Sequence, residues 1–230
     1  MKFFVTIFFI AVCLNNSFSQ THKLDSITAL INKATSDTAR VNRINDKIAL
    51  LQEVNLDSAI ALGIRNVAES QRIKYEKGEA DSRTRLATNY CFKGKYDSAK
   101  ENLESAEKIY VNTNDSAGFL LLYSTYGILY GMQSNYDRSI FFFKRAAIFA
   151  EKLHNIKRLN SMYQNIATSY QMQSNYSQAL IYYQKSLKSS EQLNDIKNLA
   201  YVNLNLGLTY QAIEDTTEAI QSLLKAISLA

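Results

Sequence analysis

The sequence repeats itself at a constant interval, and this period limits the possible folds more than any other feature of the chain. The pentapeptide MQSNY occurs at residues 132–136 and again at 172–176. The same spacing relates further positions, including the tyrosines Tyr90, Tyr130, Tyr170 and Tyr210. Self-similarity at a period of about 20–50 residues is typical of architectures in which each unit packs on its neighbours. The period therefore predicts a stack of similar units.

The repeats divide the chain into an ordered series of segments. Residues 20–39 are expected to form a lead-in helix or linker, and 40–79 a degenerate repeat. The better repeats are predicted at 80–119, 120–159, 160–199 and, incomplete and without a capping helix, 200–230.

Each repeat is predicted to contain two helices. The chain has no proline, the strongest helix breaker. A small residue and an aromatic residue three positions later lie on one helical face, as do small residues seven apart in the second half of the repeat. MQSNY then forms the turn and the first residue of the second helix, and pairs such as Asp57-Ser58 and Asp97-Ser98 are candidate N-caps. The predicted packing positions are Tyr90, Ala99, Gly127, Tyr130, Ala146, Ala167, Tyr170, Ala179, Gly207, Tyr210 and Ala219.

This order of small, aromatic, turn and small residues resembles the tetratricopeptide repeat. The usual repeat has about 34 residues, whereas this one has about 40 residues. The family's Trp and closing Pro are missing, and Asp46 and Lys47 stand where the first repeat should have small and apolar residues. The resemblance implies an all-α, right-handed superhelical solenoid of antiparallel helix pairs.

The first 19 residues have the pattern of a secretory signal peptide. Lys2 precedes a largely apolar run at 3–14, and the small-residue pattern at 17–19 follows. We therefore expect export to the periplasm of a Gram-negative bacterium. Removal of the signal would leave Cys91 as the single cysteine, so no intrachain disulfide is expected, and its helical context favours a small buried hydrophobe over a reactive thiol.

No catalytic or ligand-binding motif stands out. The sequence contains no phosphate-binding glycine loop, HExxH, CxxC or nucleophile elbow. His22 and His154 have no metal-ligand spacing to each other or to Cys91. We expect no cofactor, no metal and no enzymatic activity in these 230 residues.

One repeat carries an excess of positive charge. Residues 120–159 contain six basic and two acidic residues, a net charge of +4. The basic residues are Arg138, Lys144, Arg145, Lys152, Lys157 and Arg158. They form a candidate patch for an acidic peptide or an anionic glycan, and the simpler alternative is a solvated convex helix face. Nucleic acid is not expected, because the charge is modest and the chain is predicted to be exported.

The resemblance also implies where a partner would bind. Solenoids of this type bind through the concave face lined by the first helix of each repeat. The corresponding positions are Gln164, Asn165, Thr168, Gln171, Asn205 and Gln211. Amides both donate and accept hydrogen bonds, which suits an extended peptide, although polar residues on a solvated helix would have the same pattern. Thr84, Thr88 and Ser124 occupy places where some family members clamp a terminal carboxylate, so recognition of a free C-terminus is not expected.

A narrower resemblance concerns function. A signal peptide, the segment at 36–51 and then regular repeats are similar to the exported sensor region of bacterial tetratricopeptide-containing histidine kinases and transcription regulators. The leading expectation is therefore a periplasmic sensing region that binds a protein or extended peptide. The alternative is a free-standing periplasmic adaptor that assembles envelope proteins. Self-association through the uncapped C-terminal end is a further expectation, and a membrane would be reached only through a segment not present here.

Overall fold

The structure is a computed structural model that describes residues 22–230. The predicted signal peptide lies outside the described residues. The chain forms two compact units, the first ending at Thr113 and the second comprising Asn114–Ala230. Within residues 22–230 all regular secondary structure is helical, which confirms the predicted all-α fold.

The first unit contains two helix pairs. Residues 22–32 are helical and precede the pairs. The pairs are formed by α1 (Asp37–Leu51) with α2 (Leu56–Arg72), and by α3 (Glu76–Phe92) with α4 (Tyr96–Thr113).

The second unit contains three helix pairs of nearly uniform length. They are α5 (Ser116–Met132) with α6 (Tyr136–Lys152), α7 (Ile156–Met172) with α8 (Tyr176–Gln192), and α9 (Ile196–Ala212) with α10 (Thr216–Leu229). All but α10 have 17 residues. Each pair begins four residues before the repeat boundary expected at 120, 160 or 200.

The turns recur at half the sequence period. A residue with positive φ stands at each of Lys74, Gly94, Asn114, Ser134, His154, Ser174, Asn194 and Glu214. In the first MQSNY, Ser134 has φ 58, and Asn135 N donates to Tyr130 O at 2.9 Å, closing the end of α5. The Asn135 side chain then caps α6 by accepting from Arg138 N, and Tyr136 is the first helical residue. The prediction that MQSNY is a turn plus the start of a helix is confirmed.

The predicted Asp-Ser caps are wrong. In α2 the N-cap is Asn55, whose side chain accepts from Ser58 N at 2.9 Å, while Asp57 and Ser58 already lie inside the helix. Asp97 and Ser98 likewise lie inside α4, which begins at Tyr96. A capping acceptor must precede the first helical residue, so the acidic residues instead occupy the first turn, where the helix dipole favours them.

Small residues let the paired helices approach closely. A Cβ built on Gly127 would lie 2.5 Å from the Phe143 ring, and one on Gly207 would lie 2.7 Å from Leu223 Cγ. Among the other predicted small positions, Ala99, Ala146, Ala167 and Ala179 are fully buried and Ala219 is 5% exposed. These small residues lie buried between the paired helices.

The predicted aromatic positions are less buried than a core position requires. Tyr90, Tyr130, Tyr170 and Tyr210 are all partly exposed. The fully buried tyrosines are Tyr110 in the first unit and Tyr183 in the second. Tyr183 packs against Ala167, Ala179, Val202 and Leu206. The expected tyrosines lie at the border of the core because a phenol hydroxyl favours a polar partner at the surface.

A buried polar network joins the helices of the first unit. Asn66 Nδ2 lies within hydrogen-bond distance of three acceptors, Val41 O at 3.1 Å, Asn45 Oδ1 at 3.0 Å and Ser82 Oγ at 3.0 Å, among which its two protons are shared. Ser82 Oγ donates in turn to Asn45 Oδ1 at 2.9 Å. These bonds link α1, α2 and α3 where the degenerate first repeat lacks the usual small and apolar pattern.

Candidate functional site: an aromatic–cationic surface

Aromatic residues are concentrated in the second unit. Residues 114–230 contain 16 Tyr and Phe, whereas residues 22–113 contain five. Many of these rings meet basic side chains along one surface, which we call the aromatic–cationic surface. Its members are Tyr123, Tyr130, Phe142, Tyr163, Tyr170 and Tyr182 with Arg138, Lys144, Arg145 and Lys185.

Helices α5 and α6 form the first half of this surface. The Phe142 ring stacks on Tyr130 with a centroid distance of 5.4 Å and an interplanar angle of 8°, and on Tyr123 at 6.1 Å. Arg145 Cζ lies 4.3 Å from the Tyr123 centroid. Arg138 Nη1 donates to the Tyr130 hydroxyl at 3.1 Å. Each guanidinium is thus held by a ring face or a phenol oxygen, in the geometry of cation–π attraction.

Helices α7 and α8 form the second half, and Lys144 of α6 joins the two. Lys144 Nζ donates to the Tyr170 hydroxyl at 2.9 Å and lies 5.7 Å from the Tyr182 centroid. Lys185 Nζ approaches the same Tyr182 ring at 4.8 Å. Tyr170 and Tyr182 stack with centroids 5.7 Å apart. The hydrogen bond from Lys144 to Tyr170 raises the pKa of Lys144, so its ammonium stays charged at neutral pH.

An acidic residue marks one edge of the surface. The Tyr163 hydroxyl donates to Glu151 Oε1 at 3.3 Å. The pKa of Tyr163 is raised by burial and by the nearby Glu151 carboxylate, so the phenol remains protonated. Lys185 Nζ lies 5.7 Å from the Tyr163 centroid. Glu151 therefore lies near the second half of the surface, bound to a phenol.

The cations of this surface keep their net charge. Among residues 22–230, no carboxylate lies within ion-pair distance of Lys144, Arg145 or Lys185. Helices α5 to α8, residues 116–192, contain eight basic and three acidic residues, a net charge of +5. The rings hold the cations without neutralising them, so the surface presents positive potential to solvent.

The predicted basic patch coincides only in part with this surface. Arg138, Lys144 and Arg145 belong to it. Lys152 and Lys157 are exposed and make no ring contact within the described part of the chain. Arg158 is also exposed and donates its backbone N–H to Asn155 Oδ1 at 3.0 Å. The sequence prediction omitted Lys185, although it corresponds to Arg145 in the next repeat, just as Tyr182 corresponds to Phe142.

The predicted concave-face residues mostly bond within the fold. Gln164 Nε2 donates to Asn198 Oδ1 at 3.0 Å. The Tyr183 hydroxyl donates to Gln171 Oε1 at 2.9 Å and lies 3.1 Å from Thr168 Oγ1.

The remaining predicted positions differ in exposure. Asn205 Nδ2 donates to Tyr201 O at 2.9 Å in its own helix. Asn165 is partly buried, and Gln211 is exposed. The structure thus joins Thr168 and Gln171 through the buried Tyr183, whereas Asn205 bonds along its own helix.

Reactive groups are few in the described residues. Burial raises the pKa of the Cys91 thiol to about 12, as expected for a small buried hydrophobe and not for a nucleophile. His154 stands in a turn with φ 52. Across residues 22–230, no three His, Cys, Asp or Glu side chains gather closely enough to hold a metal ion. Over the same residues, every helix is too short or too polar to span a bilayer.

Comparison with known proteins identifies the class of fold. Residues 157–230 match the tetratricopeptide repeat family model. These residues are therefore tetratricopeptide repeats, which confirms the predicted tetratricopeptide identification for this part of the chain. No curated protein sequence matches the chain.

Solved structures with this fold cover most of the chain at low sequence identity. BtubC from P. vanneervenii is 19% identical with a TM-score of 0.74, covering 92% of this chain and 88% of that one. A signal transduction ATPase with numerous domains and a tetratricopeptide repeat sensor, from Pyrococcus horikoshii, is 15% identical with a TM-score of 0.77. That match covers 88% of this chain but 31% of the ATPase.

A third structure has a bound factor. A Rap protein complexed with competence and sporulation factor is 11% identical with a TM-score of 0.74, covering 93% of this chain and 71% of that one. At these identities the likeness concerns the fold, which is that of a tetratricopeptide-like helical solenoid.

Proposed function

We propose that this chain is a non-catalytic scaffold that binds a protein or an extended peptide. The observation that carries the proposal is the aromatic–cationic surface, where Lys144, Arg145 and Lys185 lie on rings with no carboxylate within ion-pair distance among residues 22–230. Aromatic residues and arginine are the side chains most enriched at protein interfaces. The repeat fold supports the proposal, because its stacked helix pairs provide extended binding surfaces.

We further propose that the scaffold is the periplasmic sensing region of a bacterial signal-transduction protein. The signal-peptide pattern at 1–19 supports export. A tetratricopeptide sensor in the Pyrococcus ATPase is consistent with sensing as a use of this fold. The alternative is a free-standing periplasmic adaptor.

Photo-crosslinking in the native cells tests the scaffold role. A photoreactive amino acid at Ile148, 62% exposed and next to Lys144 and Arg145 on α6, is expected to trap a protein partner. The matched control is Ile64, which is 50% exposed on α2 and corresponds to Lys144 two repeats earlier. A trapped partner at Ile148 and not at Ile64 supports the scaffold role. If neither these sites nor Gln164 and Gln211 trap any protein, the scaffold proposal is wrong.

Two measurements on the same cells test location and context. Alkaline phosphatase fused after Ala230 is expected to be active, since that reporter requires export. An immunoblot against residues 80–230 then separates the two roles. A band well above the 26.1 kDa of this chain in the membrane fraction supports the sensor, whereas a band at or slightly below that mass favours the adaptor.

A further inference from the structure

We propose that the aromatic–cationic surface is the docking site for an acidic, amphipathic segment of a partner protein. The segment would place carboxylates against Lys144, Arg145 and Lys185 and apolar side chains against Phe141 and Ile148. This inference rests on the proposed scaffold function and specifies its surface and the chemistry of its partner.

The charge of the surface selects an anionic partner. Lys144 and Lys185 both lie within 5.7 Å of the Tyr182 centroid, so two ammonium groups surround one ring. Neither has a carboxylate within ion-pair distance among residues 22–230. Contact with the rings already removes part of their water, so a carboxylate that approaches them gains more attraction than it would from a fully solvated lysine.

Exposed apolar side chains lie directly beside these cations. Phe141 is 54% exposed, and Arg145 Cζ lies 5.7 Å from its ring centroid. Ile148 is 62% exposed and follows Lys144 by four residues, on the same face of α6. A purely anionic partner would leave both apolar groups in water. A segment that alternates acidic and apolar residues would bury them and gain hydrophobic stabilisation.

The ring faces do not favour a sugar or a nucleic acid base. Both of those ligands would stack on an open aromatic face. Tyr123 has Arg145 over its face and stacks on Phe142, while Tyr182 has two ammonium groups near it and stacks on Tyr170. Because of these contacts, a ligand that approaches the surface meets charged N–H donors and not open ring faces. An acidic polypeptide is therefore a better match than an anionic glycan.

The corresponding positions of the preceding repeat lack this chemistry. Asn102 and Ser105 of α4 take the places that Phe142 and Arg145 have one repeat later. Glu104 takes the place of Lys144, and Glu101 that of Phe141. The surface is therefore a property of particular residues in the second unit and not of the repeat itself.

Binding of a defined probe to the full exported chain tests the proposal. The probe is a fluorescein-labelled amphipathic peptide of about 18 residues, long enough for several helical turns, made of Glu, Leu and Phe. Fluorescence anisotropy is expected to show binding that weakens as salt is raised. Replacing Lys144, Arg145 and Lys185 together by Gln should weaken binding by about tenfold or more, equivalent to about 1.4 kcal/mol.

Two further variants separate charge from position. The first variant, a matched charge control, replaces Lys152, Lys188 and Lys225 by Gln. It removes the same net charge from exposed sites without ring contacts, so its binding should change by less than about twofold. Phe141→Ser with Ile148→Ser leaves the charge intact and should weaken binding about fivefold through lost apolar contact. Circular dichroism and thermal unfolding of each variant show that the fold is retained.

The outcomes divide clearly. Loss of binding in the ring-contact variant and in the apolar variant, but not in the matched charge control, supports the proposal. Absence of probe binding overturns it, as does an equal loss of binding in the ring-contact variant and in the matched charge control. Tighter binding of polygalacturonate or single-stranded DNA than of the peptide, unaffected by Phe141→Ser, assigns the surface to a polyanion instead. Partner capture at Gln164 or Gln211 alone would overturn the assignment of this surface and leave the scaffold function standing.

Discussion

The two units use their charged side chains differently. In the first unit several cations contact carboxylates, as Arg83 does with Glu79 at 2.8 Å and Lys93 with Asp57 at 2.7 Å. The side-chain bond and charge of Arg72 likewise lower the pKa of Glu69. In the second unit Lys144, Arg145 and Lys185 rest on aromatic rings.

This difference teaches that similar net charge can have different consequences. Residues 22–113 carry 15 basic and 13 acidic residues, and residues 114–230 carry ten and eight, so each has a net charge of +2. An ion pair removes a cation's field at a distance, whereas an aromatic ring leaves it. The second unit therefore offers charge to a partner, and the first uses more of its charge within the fold.

The largest expected effect concerns the aromatic core of the second unit. Tyr183→Ala should lower the free energy of unfolding by about 3–5 kcal/mol, because Tyr183 is fully buried and its hydroxyl bonds to Gln171. Tyr170→Ala should cost clearly less, because Tyr170 is partly exposed. Urea denaturation with hydrogen exchange measures both. Equal losses would mean that the border tyrosine is as much part of the core as Tyr183.

Close packing at glycine should separate two particular sites, Gly127 in the second unit and Gly63 in the first. Gly127→Ala is expected to destabilise the second unit by about 1–3 kcal/mol, because the new Cβ would lie 2.5 Å from the Phe143 ring. Gly63→Ala in the first unit should change stability by less than about 1 kcal/mol. There the nearest atom is a Leu86 side-chain methyl at 3.3 Å, so a shift of a few tenths of an ångström makes room, and alanine has the higher helix propensity. Thermal unfolding of both variants checks the contrast, which a more stable G127A protein would contradict.

Salt should separate the ion pair from the cation–π pair. Double-mutant cycles on Lys93 with Asp57, and on Arg145 with Tyr123, should each give about 0.5–1 kcal/mol of coupling at low salt. Near about 1 M NaCl the Lys93–Asp57 coupling should fall, because both side chains are exposed and salt screens exposed charges. The Arg145–Tyr123 coupling should change less, since part of it is contact with a ring face. Equal salt dependence would remove the physical basis of the comparison.

The smallest expected effect is an acid-sensitive helix cap. Asp195 accepts from Asn198 N at 3.1 Å and Asn198 Nδ2 at 2.7 Å, and these bonds lower its pKa below the usual 3.8. A lowered folded-state pKa means that its contribution to stability is present above 3.8 and is lost as the pH falls through the folded value. As the pH is lowered, the melting temperature of the Asp195→Asn variant should therefore fall slightly less than that of the natural chain. Superimposable acid profiles would show that Asp195 makes no pH-dependent contribution.

The fold followed from the sequence because its signals are local. The period, the absence of proline and the small residues are each visible in a stretch of about 40 residues. The identical turns at 132–136 and 172–176 identified the helix junctions. The caps were misassigned because both Asn and Asp cap helices, and the choice depends on which residue comes just before the first helical turn.

The sequence predicted only some of the candidate site's residues, because the site depends on which face each helix exposes. Counting charges found Lys144 and Arg145 but also included Lys152 and Lys157, which are exposed and make no ring contact within the described residues. The burial of tyrosines was harder to predict, since Tyr170 fills a family packing position yet keeps its hydroxyl at the surface to meet Lys144. Contacts between successive helix pairs form only in the tertiary structure, so counting charges along the sequence does not predict them. Aligning Phe142 with Tyr182 and Arg145 with Lys185 would have been the available signal.

The uniform turns bear on how the length of such a chain can change. Deleting residues 136–175 would join the first MQSN to the second Tyr, and the new junction would be identical in sequence to both originals. The helices before and after it would then meet a partner of the same length and turn geometry. Slippage during replication, or recombination between the two copies, could therefore remove or add two helices, one repeat length, without an intermediate that has a broken turn.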